Sequence, residues 1–315
     1  MLKLGANCWN QYTDWPAFLA AQQRADRLGF DSIWTWDHLY PIVGSHVGPI
    51  FEGYTAMTAV AATTKHATVG LMVGANTMRN PALVAKMITT LDHVSAGRAI
   101  LGIGAAWFQT EHTAYGIDYG SGPPERLRWL AEALPIMRGM LRGEEPTLEG
   151  PRYRVAAIRN DPPPVQAKLP ILIGGGGERV TLRLVARYAD ACNIGGGPAI
   201  VKAKDAILIQ HCESIGRDPA EIERTSGMGT VIIRDSRAEA ERIHREMFER
   251  NGRADPWTDQ PVGTPEDVAE RFAEMLDIGY GNLIVGFPSP YDEESMTRLA
   301  TEVRPMLEAH PAAVN

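Results

Sequence analysis

Pro170-Ile171-Leu172-Ile173-Gly174-Gly175-Gly176-Gly177-Glu178-Arg179 sets a short aliphatic run, four glycines and the opening of a helical segment side by side. A brief apolar run closed off by Pro and Gly reads as a buried strand of a parallel sheet. Glycines between that strand and a helix starting near Glu178 leave backbone N–H groups free, and the helix dipole adds positive potential. A phosphate is the natural ligand of such a turn, with Arg179 as a supplementary cation. A plain flexible turn is the alternative.

The same strand–loop–helix unit recurs outward in both directions. Strands are predicted near Lys3–Ala6, Ser32–Trp36, Thr68–Val73, Ala99–Ile103, Ile171–Ile173, Ala191–Ile194, Thr230–Ile233 and Asn282–Val285, which is the number that closes a barrel. Between them Asp14-Trp15-Pro16 caps a helix that Gly29 stops. Asn80-Pro81 opens another that ends near Ser95, and Thr264-Pro265-Glu266-Asp267 opens a third. Leu127, Leu130, Leu134, Met137 and Leu141 give the segment from Glu125 one apolar face. The fold class expected is α/β, a (β/α)8 TIM barrel in a single domain over residues 1–315. The Pro-rich stretch 144–169 breaks the alternation and reads as an insertion after the fourth βα unit, with a short hairpin around Gly150.

Composition narrows the function classes. Of 315 residues, 44% are hydrophobic and 22% charged, as in ordinary globular proteins. No run approaches the roughly 20 apolar residues of a membrane span. The start of the chain carries no secretory signal, so a cytoplasmic location is expected. A net charge of −7 without a dense basic run opposes nucleic-acid binding. Cys8, Cys192 and Cys212 lack CxxC spacing, so neither a disulfide framework nor a structural zinc site is expected.

Barrel enzymes carry their chemistry on the loops that follow the strands. The second strand ends in Trp36-Asp37-His38, where the imidazole can donate or hold a proton and the carboxylate can set its position; a structural Asp-His pair is the alternative. The third runs into Gly74-Ala75-Asn76-Thr77, small enough for a planar ring to approach, with Asn76 able to donate and accept toward a heterocycle. The fourth gives Gly102-Ile103-Gly104-Ala105-Ala106-Trp107-Phe108. This run lacks the third glycine and the preceding βαβ unit of a dinucleotide fold, so Gly104 is read as opening space for a flat cofactor.

Taken in order, Gly29-Phe30-Asp31-Ser32-Ile33-Trp34, Asp37-His38, Asn80-Pro81-Ala82-Leu83, Leu91-Asp92-His93-Val94-Ser95-Ala96-Gly97-Arg98, Gly102–Trp107, Pro170–Gly177 and Gly263–Val268 resemble the luciferase-like monooxygenase superfamily, specifically its coenzyme F420-dependent oxidoreductases. The resemblance spans nearly the whole chain. It implies a barrel, commonly a homodimer, with coenzyme F420, or FMN in the alternative, across the strand ends. It also implies a non-prolyl cis peptide within Leu71–Gly74, ring contacts from Gly74 and Asn76, and a phosphate held by Gly174, Gly175, Gly176 and Gly177. The implied reaction is hydride transfer to or from a small organic substrate, with His38 managing the proton, Asp37 positioning it, and Trp36, Trp107 and Phe108 walling the pocket. Sugar-phosphate dehydrogenases of the family carry a catalytic Glu where this chain has Trp107, which speaks against that substrate class. Rival readings are an FMN-dependent monooxygenase, a non-enzymatic binding barrel and a metal-dependent hydrolase; for the last, the first strand lacks the His pair it would need, and no metal ligands are expected.

Overall fold

The structure, a computed structural model, describes residues 2–313. In chain order its strands are β1 (Lys3–Cys8), β2 (Ser32–Thr35), β3 (Thr68–Leu71), β4 (Gly74–Ala75), β5 (Leu101–Gly104), β6 (Leu148–Glu149) and β7 (Arg154–Val155). They continue with β8 (Ile171–Gly174), β9 (Ala191–Asn193), β10 (Glu223–Thr230), β11 (Ile232–Ile233), β12 (Val262–Gly263) and β13 (Asn282–Phe287). Nine of these form one parallel sheet in the order β3-β2-β1-β13-β10-β9-β8-β5-β4. β3 and β4 are two pieces of one barrel strand, interrupted at the cis Met72–Val73 peptide, which falls inside the span the family resemblance implied. The barrel closes where Val69 N–H donates to Arg98 O at 2.9 Å and Ile100 N–H donates to Val69 O at 3.0 Å. Counted this way there are eight barrel strands with helices around them, so the fold is the (β/α)8 barrel expected from sequence.

Alternation along the strands sorts side chains to two faces. Leu4, Ala6 and Cys8 of β1 and Ile33 of β2 join the large layer between strands and helices. Trp34, Ile100, Leu172, Ala191 and Ile284 form a separate cluster that fills the barrel, with Met72 and Val73 packed on it. Room for the indole comes from missing side chains: a Cβ at Gly5 would lie 3.1 Å from Trp34 Nε1 and one at Gly70 2.9 Å from its ring. Trp34 is tied at Nε1, which donates to Ser32 Oγ at 2.7 Å.

The capping signals hold. Asp14 accepts the Ala17 N–H, Asn80 accepts the Ala82 N–H, and Thr264 forms a reciprocal capping box with Asp267. The quoted run ending in Arg98 proves structural: its guanidinium donates to the carbonyls of Ala61, Thr64 and Ala67 at 3.0, 2.9 and 2.6 Å. That ties the end of helix Gly53–Thr63 to the base of the barrel. Residues 144–169 carry the antiparallel hairpin β6–β7 around Gly150.

The seventh barrel strand differs from expectation. The apolar run ending at Ile233 was read as the barrel strand, but β10 lies earlier, and Ile232–Ile233 leaves the barrel to pair with β12. Segment Glu223–Thr230 is polar because its side chains bond across the sheet: Thr225 Oγ1 donates to Cys192 O at 2.9 Å and accepts from Asn193 Nδ2 at 2.9 Å. Hydroxyls satisfied in this way sit in a strand without the apolar signature that periodicity detects.

Candidate active site

The C-terminal ends of β2, β4, β5, β8 and β9 surround a cavity of about 430 Å³. Trp36, Asp37, His38, Val73, Gly74, Gly104, Trp107 and the four glycines 174–177 all border it, as do Ile42, Glu111, Thr181 and Asn193, which sequence reasoning did not single out. A larger groove of about 590 Å³ lies outside the barrel against helices Arg237–Arg250 and Pro265–Leu276; charged side chains dominate its walls. The mouth, not that groove, gathers the residues that the sequence nominated.

His38 is the reactive group most clearly presented. Its Nδ1 lies 2.8 Å from Glu111 Oε1, while Glu111 Oε2 accepts the Leu39 N–H at 2.7 Å. Glu111 stands in the first turn of the seven-residue helix Gln109–Tyr115 that follows β5 and is fully buried. A buried carboxylate with two donors holds the imidazole as the Nδ1–H form, or as the imidazolium, and leaves Nε2 free. Trp107 and Phe108 meet the ring edge-on, with centroids 5.5 and 5.9 Å away, which fixes its plane.

Asp37 does not position His38, contrary to expectation. Its buried carboxylate accepts the Ala75 N–H at 2.8 Å and is gripped by Arg79, Nη1 to Oδ2 at 2.8 Å and Nη2 to Oδ1 at 2.9 Å. The fork-to-fork geometry spends both carboxylate oxygens. Arg79 Nη2 also donates to Glu52 Oε1 at 2.6 Å, and its guanidinium lies 4.9 Å from the centre of the Tyr54 ring. Burial alone would lower Arg79, but Asp37 and Glu52 more than reverse it and hold the cation charged. Burial likewise works to raise Glu52, and Thr55, Arg79 and the Tyr54 amide bring it below the ordinary carboxylate range. Asp37 is thus a brace between β2 and the end of β4, one residue from the imidazole it was expected to serve.

Two of the glycines that border the cavity also have a packing purpose that the sequence did not disclose. A Cβ at Gly104 would come within 3.0 Å of Val73 Cγ2, and one at Gly174 within 2.9 Å of the same methyl. They make room for the Val73 side chain, which then forms the floor of the mouth. Asn76 is turned away: it is buried, its Nδ2 donates to Tyr153 Oη at 3.3 Å, and its N–H donates to Gly104 O at 3.0 Å. Its amide is occupied in anchoring the residues that follow β4 and does not border the cavity. Phe108 is buried behind Trp107 and His38 and supports the wall without lining it, while Trp107 itself is 61% exposed at the rim. Trp36 lines the cavity and stacks on Trp9 with centroids 4.6 Å apart.

The tetraglycine turn runs along the mouth. Gly174 ends β8, and Gly175, with φ of +117°, takes a conformation that side chains rarely adopt. The following helix is Thr181–Tyr188, three residues later than expected, with Glu178–Val180 forming a turn. Among the described residues the amides of Gly176 and Gly177 donate to no intramolecular acceptor, whereas Gly175 N–H donates to Asn193 O at 3.0 Å. Arg179 stands on the outer side of this turn, away from the mouth, in a hollow it shares with Lys204.

The family model described as luciferase-like monooxygenase matches residues 5–282. The chain belongs to the luciferase-like monooxygenase family. Within it, the protein is 27% identical over 320 residues to an F420-dependent glucose-6-phosphate dehydrogenase of Intrasporangium calvum, covering 90% of this chain and 92% of the relative. An F420-dependent secondary alcohol dehydrogenase, solved in complex with an F420-acetone adduct, superposes with a TM-score of 0.82 at 20% identity, over 97% of this chain and 99% of the other. The FMN complex of the oxygenating component of 3,6-diketocamphane monooxygenase from Pseudomonas putida superposes with a TM-score of 0.74 at 20% identity, over 97% and 98%. At such identities the two structural likenesses show the shared barrel. Family membership makes the protein an enzyme. Among the described residues no three His, Cys, Asp or Glu side chains gather as a metal-holding group, and no helix is long and apolar enough to cross a membrane.

Proposed function

We propose that this protein is a coenzyme F420-dependent oxidoreductase that acts on a small organic substrate without a phosphate group. The observation that carries the reading is the juxtaposition, in one cavity, of His38, backed by Glu111 at Nδ1, and a tetraglycine turn with unclaimed amides. The residues fit the coenzyme: Gly176 and Gly177 offer N–H donors to its phosphate, and Val73, Gly74 and Ala75 offer an apolar floor to its ring. The F420-dependent relative and structural neighbour support the choice of coenzyme. When bound, the deazaflavin supplies a carbon that gives or takes a hydride.

The chain's own groups do the rest. His38 Nε2 accepts the hydroxyl proton of an alcohol, or donates it to the forming hydroxyl in the reverse direction, while Glu111 balances the imidazolium. Trp36, Ile42 and Trp107 wall the site and limit water. Among the described residues no Lys or Arg borders the cavity, so a phosphate dianion on the substrate would enter unpaired beside the Asp37 and Glu111 carboxylates. That supports an uncharged, apolar substrate and sets this mouth apart from a sugar-phosphate site.

Equilibrium titration of the purified protein with F420 and with FMN, followed by fluorescence, tests the reading. Tight F420 binding with weak FMN binding is expected, followed by bleaching or recovery of the deazaflavin absorbance on addition of short-chain alcohols or ketones. Preferential FMN binding with oxygen uptake would replace it by the monooxygenase reading, which the FMN-bound neighbour supports.

A further inference from the structure

The tetraglycine turn has two sides. Gly176 and Gly177 border the mouth and also border a second, shallow hollow of about 440 Å³ on the outside of the barrel. Leu127, Glu178, Arg179, Val180 and Lys204 complete its rim. Lys204 projects from helix Pro198–Glu213 onto the turn: a Cβ at Gly176 would lie 2.7 Å from its Nζ, so a side chain there would displace the ammonium. Among the described residues neither Arg179 nor Lys204 is paired with a carboxylate, and Glu178 is the one acid on the rim. Two unpaired cations on the outer side of the tetraglycine turn form a local positive spot in a chain of net charge −7.

Resting on the coenzyme reading above, we infer that this hollow is a second anion subsite that receives the carboxylate-bearing tail following the coenzyme's phosphate. F420 continues beyond its phosphate into a lactyl-oligoglutamate chain, whereas FMN ends at the phosphate. A ligand whose phosphate lies on the Gly176 and Gly177 amides has its next atoms at the crossing between mouth and hollow. There Lys204 meets the first carboxylates and Arg179 the later ones. Arg179 is exposed and Lys204 half-buried, so each contact is individually weak and screened by salt, and together they favour a tailed coenzyme over a truncated one. The ring pocket reads the redox group, and this hollow reads what is attached to it.

The test is a fluorescence titration of the full-length protein with F420 carrying several glutamates, with its glutamate-free phospholactyl form, and with FMN, at low and moderate salt. Wild-type protein is expected to bind the tailed form about tenfold more tightly than the glutamate-free form, with that advantage shrinking as salt rises. In the Lys204→Gln/Arg179→Gln double variant the advantage is expected to disappear, while affinity for the glutamate-free form changes less than about threefold. Thermal melts check that the variant is folded; Arg179 is exposed and Lys204 half-buried, and if the double variant melts early the single variants carry the same comparison. Equal wild-type affinity for the two deazaflavins, or an advantage that survives the double substitution, overturns this inference alone. Failure of every deazaflavin to bind, with FMN binding instead, overturns the coenzyme reading and this inference with it.

Discussion

At His38 the two ring nitrogens keep different company: Nδ1 meets Glu111 2.8 Å away, and Nε2 is left for whatever occupies the cavity. Replacing His38 by Ala removes the proton carrier and is expected to lower kcat by roughly 10²–10⁴ with little change in coenzyme affinity. Glu111→Gln keeps a hydrogen-bonding group but no longer counters an imidazolium, so a fall in kcat of roughly 10–100-fold with a displaced pH–rate profile is expected. An unchanged profile would mean that Glu111 merely fastens the loop. Asp37→Asn should report on stability instead. It leaves Arg79, with a side chain only 14% exposed, to Glu52 alone, and a urea melt is expected to show a loss of roughly 2–4 kcal/mol. At this scale sequence reading went half the distance. It found His38 but gave it the adjacent carboxylate, because the true partner lies 73 positions away on a helix too short to leave a periodic signature. Arg79, directly before the Asn80 cap, had no local signal either; its importance arises only when β2 and the end of β4 are brought side by side.

Elements defined by local chemistry were legible, and those defined by partners were not. Asp14, Asn80 and Thr264 sit at helix starts for reasons contained within four residues, so their caps could be read directly. β10 could not, since its Thr and Ser side chains are satisfied by β9 and by Ile194, which lie some 30 residues earlier in the chain. The sequence predicts the third strand over Thr68–Val73 and a loop from Gly74; in the structure β3 ends at Leu71 and Gly74–Ala75 resumes the same barrel position as β4. β5 passes close against the end of β3. A Cβ at Gly102 would come 2.0 Å from Leu71 O, an approach no backbone tolerates without moving. Gly102→Ala is therefore expected to destabilise by about 3 kcal/mol or more in denaturant melts, whereas Gly195→Ala, which meets nothing within 4 Å, is expected to change stability by under about 0.5 kcal/mol. Similar values for the two would show that the backbone of β3 can give way at Leu71.

For the molecule as a whole, acid sensitivity is expected to come from a residue outside the mouth. His244, on helix Arg237–Arg250, is buried, and its Nε2 has no partner among the described residues. Burial, with a smaller contribution from Arg245, lowers its pKa from 6.5 to about 4. The unfolded chain therefore takes up a proton near pH 6.5 that the folded chain refuses until about pH 4. Stability is intact above that window and falls as pH drops through it. Between pH 7 and pH 5 the expected loss is about 1–2 kcal/mol, and His244→Leu is expected to flatten that part of the profile when urea midpoints are compared across pH. A second acid-sensitive tie acts lower on the scale. Burial works to raise Asp190, but Lys168, the Ile171 amide and Arg138 hold it below the usual carboxylate range, so its contribution persists above that range and is lost only as pH falls through the depressed value.

The Trp34 indole that fills the barrel has a kinetic consequence. With the interior stoppered, nothing passes through the barrel, so coenzyme and substrate both come in from the side of the strands' C-terminal ends. Of two guests arriving from one side, the one seated farther in enters first and departs last.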